Sequence, residues 1–211
     1  MIQRFAKSED GAAMVEMTIV SSLLFALVLG FVDFGYAFYQ WNAATKAVQI
    51  GARLASISNA VATNLATAGP VSSPGAPIPA GAYGPFVCTY TAGTGGCSNG
   101  GGFNAANFSR IFRGDTAATN DDACPTPTAN QRAGMCQFFP GLLRSQVVIT
   151  YTATGLGYQT RLSGPVPTIT VSLQNRTFQF FFLQGLMGFA NINMPSMLST
   201  VTGEDIKSTW P

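Results

Sequence analysis

The chain has 211 residues, of which 9% are charged, with a formal net charge of +2, 23 glycines and no histidine. That length accommodates one domain of ordinary size plus an anchor, and so sparse a charge content argues for an envelope or secreted protein over a cytosolic enzyme. No basic run with interleaved aromatics is present, so no nucleic-acid surface is indicated, and without histidine a zinc site or a histidine-based triad has little to build on.

The first element is the apolar run within "EDGAAMVEMTIVSSLLFALVLGFVDF", residues 9–34. From Ala12 to Val32 its only charge is Glu16, which predicts a helix long enough to cross a hydrocarbon core of about 30 Å. A lone carboxylate there costs about 2–3 kcal/mol or more unless something compensates it. Arg4 and Lys7 precede the run and the next basic residue is Lys46, a bias that keeps the N-terminus in the cytoplasm and sends the rest outward. An ordinary secretory signal has a shorter apolar core, and "FVDFGYAFY" offers no small-x-small cleavage site.

Past Asp33 the alanine-rich sequence predicts continued helix, unbroken to about Leu65, with no proline before Pro70. Trp41, Ala44, Val48, Ala52, Ala55, Ala62 and Leu65 recur at steps of three, four or seven and draw one stripe of mostly small side chains. Such a stripe suits either a stalk projecting beyond the membrane or a helix packed on its own domain. Tyr36, Tyr39 and Trp41 fall where an interfacial aromatic belt is expected. The domain boundaries follow: a transmembrane helix over 12–35, a helical stalk over 36–68 and a β-rich domain over 69–211.

The change at Gly69 is one of grammar, because "GPVSSPGAPIPAGAYGPF" is dense in helix breakers. A glycine- and asparagine-rich excursion over 83–140 follows, read as surface loop stapled by cysteines. Cys88, Cys97, Cys124 and Cys136 are even in number, lack any C-x-x-C pair and suit disulfides in an oxidising compartment. Three connectivities are open, and loop length favours Cys88 with Cys97 and Cys124 with Cys136. The glycines of "GTGGCSNGGG" lack the preceding strand and following lysine of a phosphate loop. Asp115, Asp121 and Asp122 do not match the calcium spacing of an EF-hand.

Strand patterns return in "QVVITYTATGL" and "PTITVSLQNRTFQF", where Val147, Ile149 and Tyr151, and Ile169, Val171 and Leu173, share one face each. An antiparallel sheet with one buried face is the expectation. The stretch from Phe178 to Ala190 is too short to span a bilayer. It reads as a core element, helical around Leu183 and Leu186, with a membrane-surface patch as the alternative. The tail "PSMLSTVTGE" supplies a last strand. No catalytic constellation emerges: Glu204 and Asp205 are a terminal pair, Lys46 and Lys207 sit in no motif, and no G-x-S-x-G elbow exists. The chain is read as a non-enzyme without cofactor or metal.

Gly11, then Ala12-Ala13-Met14-Val15, then Glu16 and an unbroken apolar helix, resembles the processing site of type IV pilin-like proteins. The run from Gly11 to Ser56 resembles the N-terminal module of TadE-like minor pilins, or pseudopilins, of tight-adherence (Flp) pilus systems. The segment "ITVSLQNRTFQFFFLQGLMGF" is weakly similar to the strand and apolar segment near the ends of such proteins. The resemblance implies a leader over 1–11, cleavage between Gly11 and Ala12 by a prepilin peptidase, and a recognition or assembly role for Glu16. It also implies an acid near the outer boundary of the span, where Asp33 falls. Met17 departs from the tyrosine that follows the glutamate in major pilins, which favours a minor component.

The expectation is therefore an α+β protein: a long transmembrane and stalk helix, then a small antiparallel sheet domain with a disulfide-bonded loop. The function implied is assistance in assembling, initiating or capping a pilus, with the membrane, the prepilin peptidase, other pilin subunits and the assembly machinery as partners. Localisation follows as the bacterial inner membrane, with the C-terminal domain in the periplasm or carried into a pilus. A membrane-tethered binding or adhesion module, not processed as a pilin, is the alternative.

Overall fold

The computed structural model describes residues 9–91, 93–116, 122–160, 164–188 and 192–203. The basic residues Arg4 and Lys7, Asp121, Ala190, and the terminal Glu204, Asp205 and Lys207 lie outside the described residues. The protein is α+β. Helix α1 runs over Glu9–Ile57, 49 residues, or about 74 Å at 1.5 Å per residue. Strands β1 (Phe86–Thr91) and β2 (Thr94–Cys97) follow, then helices α2 (Ala105–Arg113) and α3 (Met135–Phe138), strands β3 (Val147–Thr152) and β4 (Thr168–Leu173), helix α4 (Phe182–Met187) and strand β5 (Leu198–Thr202).

The five strands form one antiparallel sheet in the order β2-β1-β3-β4-β5. Its register explains the alternation in the sequence: Val147 lies opposite Leu173, Ile149 opposite Val171 and Tyr151 opposite Ile169. All six are buried, whereas Thr150, Thr170 and Ser172 on the other face are partly open. One face is dry and the other more open, although Val148 and Thr168 on it are also buried. The tail strand forms as expected, pairing Val201 with Ile169.

Two compact units divide the chain: Met1–Gln40 with Thr177–Ile192, and Trp41–Arg176 with Asn193–Pro211. The second unit holds the hydrophobic core. Ala44, Ala47, Val48, Ala52 and Ala55 of α1 belong to the same buried cluster as the inner face of the sheet. The stripe of small residues therefore packs on the domain, and the region read as stalk contributes core from Ala43 onward. Small size is what the packing requires. A Cβ added at Gly51 would sit 2.5 Å from Sδ of the fully buried Met135.

Helix α1 ends at Ile57, short of the expected Leu65, and the chain resumes as a 3-10 turn over Thr63–Thr67. No glycine or proline marks this stop; long-range hydrogen bonds hold the chain after it. The Val61 N–H donates to the Tyr151 hydroxyl at 2.9 Å, and Asn107 Nδ2 donates to the Ala60 carbonyl at 2.7 Å.

The stretch 83–140 differs most from its reading as surface excursion. It carries two strands of the sheet and helix α2, whose N-terminus is capped by the Asn104 side chain accepting from the Asn107 N–H at 3.0 Å. Phe108, Ile111 and Phe112 of α2 are buried in the core. Cys88 sits opposite Cys97 in the β1–β2 register and is bonded to it, and Cys124 is bonded to Cys136 on α3. The first disulfide thus lies within the sheet rather than across a loose loop, because β1 is an interior strand with Cys88 fully buried.

Candidate functional site

The membrane-length half of α1 is apolar on every side, and its large side chains stand open: Met14, Ile19, Leu23, Phe25, Phe31 and Phe34 are all exposed. A helix apolar all round, with no stripe turned to a core, suits an apolar surrounding. This segment is one candidate membrane span, consistent with membrane anchoring. Its few hydroxyls are satisfied within the helix: Thr18 donates to the Met14 carbonyl at 2.8 Å, Ser22 to that of Ile19 at 2.8 Å, and Ser21 to that of Met17. Gly11 and Ala12 lie within the helix near its start, and Glu16 stands exposed one turn beyond Ala12.

Asp33 is where the helix changes character. It is fully buried, and its carboxylate receives three consecutive backbone N–H groups from the segment leading into α4. Phe181 donates to Oδ1 at 2.9 Å, Phe182 to Oδ2 at 2.9 Å and Leu183 to Oδ2 at 2.6 Å. An α-helix leaves its first N–H groups without intrahelical acceptors. A carboxylate is the strongest side-chain acceptor for them and also matches the positive end of the peptide dipoles. Two turns on, the buried Gln40 repeats the grip: its Nε2 donates to the Gln179 carbonyl at 3.1 Å and its Oε1 accepts from the Gln179 N–H at 3.2 Å. Phe34 packs edge-on against Phe180 with centroids 6.4 Å apart, and Tyr36 against Phe181 at 4.9 Å.

The segment 178–188 is therefore fastened along α1 by side chains of α1. A helix forms at Phe182–Met187, in the region where the sequence predicts one, and over Phe182–Gly185 its side chains are exposed or half-buried. Phe181 is 61% exposed and Phe182 43%. Phe180 turns inward, at 8%, and Phe178 and Leu183 are half-buried.

Two further acids, Asp115 and Asp122, are engaged by arginines. Asp115 accepts a bidentate pair from Arg132, Nε to Oδ2 at 2.8 Å and Nη2 to Oδ1 at 3.0 Å. This bonding holds the Asp115 carboxyl below the usual carboxylate range. Asp122 Oδ1 accepts from Arg144 Nε at 3.1 Å, and the Arg144 guanidinium lies 4.1 Å from the centroid of the Tyr90 ring. No group of three or more metal-ligating side chains occurs among the described residues. The four cysteines lie in the sheet-bearing unit, whereas Gly11, Ala12, Glu16 and Asp33 lie in the other.

Gln40 and the backbone of residues 179–183 were missed in the sequence. One signal was available: Asp33 and Gln40 are seven residues apart, two turns along one face, and both are polar in an apolar setting. What they hold is backbone, which no residue pattern reveals. No curated protein and no solved structure matches the chain. Residues 11–53 match the family model described as TadE-like protein.

Proposed function

We propose that the protein is a non-enzymatic minor pilin, or pseudopilin, that assists assembly, initiation or capping of a tight-adherence pilus. The observation that carries this reading is where the family match begins: at Gly11, the residue after which a prepilin-type peptidase is expected to cut. Cutting there leaves an amine on Ala12, one helical turn from Glu16. The carboxylate then pairs with its own amine or with that of a neighbouring subunit, and pairing makes an acid tolerable in hydrocarbon. The exposure of Ala12 and Glu16 supports access by a neighbour. Asp33 acts in this reading as an internal fastener of the mature subunit.

The anchor is assigned to the bacterial inner membrane and the sheet-bearing unit to the periplasm, an oxidising compartment in which the Cys88–Cys97 and Cys124–Cys136 disulfides persist. Mass spectrometry of the N-terminus, in cells with and without the prepilin peptidase, tests the reading. The expected mature chain starts at Ala12 only when the peptidase is present, and Gly11→Leu abolishes it. A full-length N-terminus in cells with a working peptidase overturns the proposal.

A further inference from the structure

We propose that α4 and the phenylalanines leading into it form a second membrane contact, a wedge that seats Phe181 and Phe182 in the boundary between headgroups and acyl chains beside the anchor. The inference rests on reading the apolar half of α1 as a membrane span and is independent of any role in a pilus.

Continuity with that span is the first argument. Phe181 and Phe182 are exposed, as are Phe31, Phe34 and Phe38 of α1. The Phe34–Phe180 and Tyr36–Phe181 contacts join the two sets into one aromatic surface. From Phe178 to Gly188 the sequence "FQFFFLQGLMG" contains no charged residue. It is too short to cross a bilayer, so contact at the surface layer is the geometry open to it.

Level is the second argument. The Asp33 bonds hold residues 181–183 beside the end of the run whose only charge is Glu16. Segments lying in the interface bury Phe and Leu at the headgroup–acyl boundary, and Tyr36, whose ring has the polar edge favoured in that layer, packs on Phe181.

The third argument concerns the backbone. On a water-facing turn, the N–H groups of residues 179–183 could be left to solvent. Here the N–H groups of Phe181, Phe182 and Leu183, and both the N–H and the carbonyl of Gln179, bond to side chains of α1. Internal satisfaction of exposed-flank backbone is what a water-poor surrounding demands.

The test uses the full chain in lipid nanodiscs, with Trp41→Phe and Trp210→Phe removing the native indoles. A single reporter is introduced by Phe182→Trp, or by Val28→Trp as the reference within the span. With Phe182→Trp the expected emission is blue-shifted and loses most of its intensity in lipids brominated high on the acyl chain, with little loss when bromine lies near the chain end. Val28→Trp is expected to be quenched by the deeper label. A water-like, unquenched emission from Phe182→Trp alongside a quenched Val28→Trp overturns the wedge and leaves the anchor standing. A blue-shifted but unquenched signal means that protein, such as a second copy, covers the phenylalanines, and also overturns it. Absence of quenching at both positions overturns the span and the wedge together.

Discussion

Asp33 and Leu183 are 150 residues apart in sequence, yet Oδ2 of the first accepts the N–H of the second at 2.6 Å. The same carboxylate takes the two preceding N–H groups, so one side chain of α1 sets where α4 begins. Its acid is a structural acceptor with all of its bonds made to backbone of the same unit.

Replacing that acceptor should free the segment. Asp33→Leu leaves three N–H groups without a protein acceptor, whereas Asp33→Asn keeps one carbonyl oxygen and should lose only part of the restraint. Hydrogen exchange in nanodiscs or detergent is the measurement: amides 181–183 should exchange much faster in Asp33→Leu and to an intermediate degree in Asp33→Asn. Unchanged protection in Asp33→Leu would show that the α4 backbone is held by something else.

On the proposed cleavage after Gly11, the charge of the mature Ala12 amine decides the outcome at Glu16. Glu16→Ala leaves the Ala12 ammonium unmatched, whereas Glu16→Asp retains the charge with a shorter reach. Both variants should insert and be cleaved, with pilus counts on complemented cells lowest for Glu16→Ala. Normal piliation by Glu16→Ala at native expression would instead place the acid in the headgroup layer with no assembly role.

Tyr151 makes a sharper test of the fold. Its ring is fully buried and its hydroxyl accepts the Val61 N–H at the turn that follows α1. Burial pushes the phenol well above its ordinary range, so it stays neutral and available as an acceptor at working pH. Tyr151→Phe keeps the ring but orphans a buried N–H, at a cost of about 1–3 kcal/mol. Urea unfolding of the disulfide-intact protein should show a lower midpoint with unchanged slope. An unchanged midpoint would mean that the turn relaxes to find another acceptor.

The acid limb of stability should carry a small share from Asp115. Its hydrogen bonds to Arg132 lower its pKa in the folded state, so their stabilisation is present above the ordinary carboxylate range. It is lost as pH falls below that range toward the folded value. Arg132 is half exposed, with 51% of its side chain open, so solvent screening keeps the contribution at about 0.2–1 kcal/mol. Asp115→Asn should lower stability by no more than that at neutral pH and flatten the decline between pH 5 and pH 3, read by chemical denaturation. A larger effect that persists at pH 3 would point to packing rather than charge.

Elements whose side chains repeat in a period were legible in the sequence. The apolar run from Ala12 to Val32 had one charge and enough length, and Val147-Ile149-Tyr151 and Ile169-Val171-Leu173 alternated, so the anchor helix and the two central strands followed from local pattern. The short-loop pairing of the cysteines was also the favoured one among the three connectivities. Strands β1 and β2 were not read from the sequence: "TGGC" is short and glycine-rich, and "FVCTYT", though made of β-prone residues, lies in a glycine-rich stretch and becomes an interior strand by pairing with β3, whose sequence lies some 60 residues further on.

Tertiary structure alone decided the end of α1 at Ile57, the burial of the small-residue stripe and the attachment of residues 179–183 to Asp33 and Gln40. Each depends on a bond or contact between residues far apart in the chain. Periodicity states which face of a helix is apolar, but not what covers it, and a backbone N–H carries no mark in the sequence of the acceptor it will find.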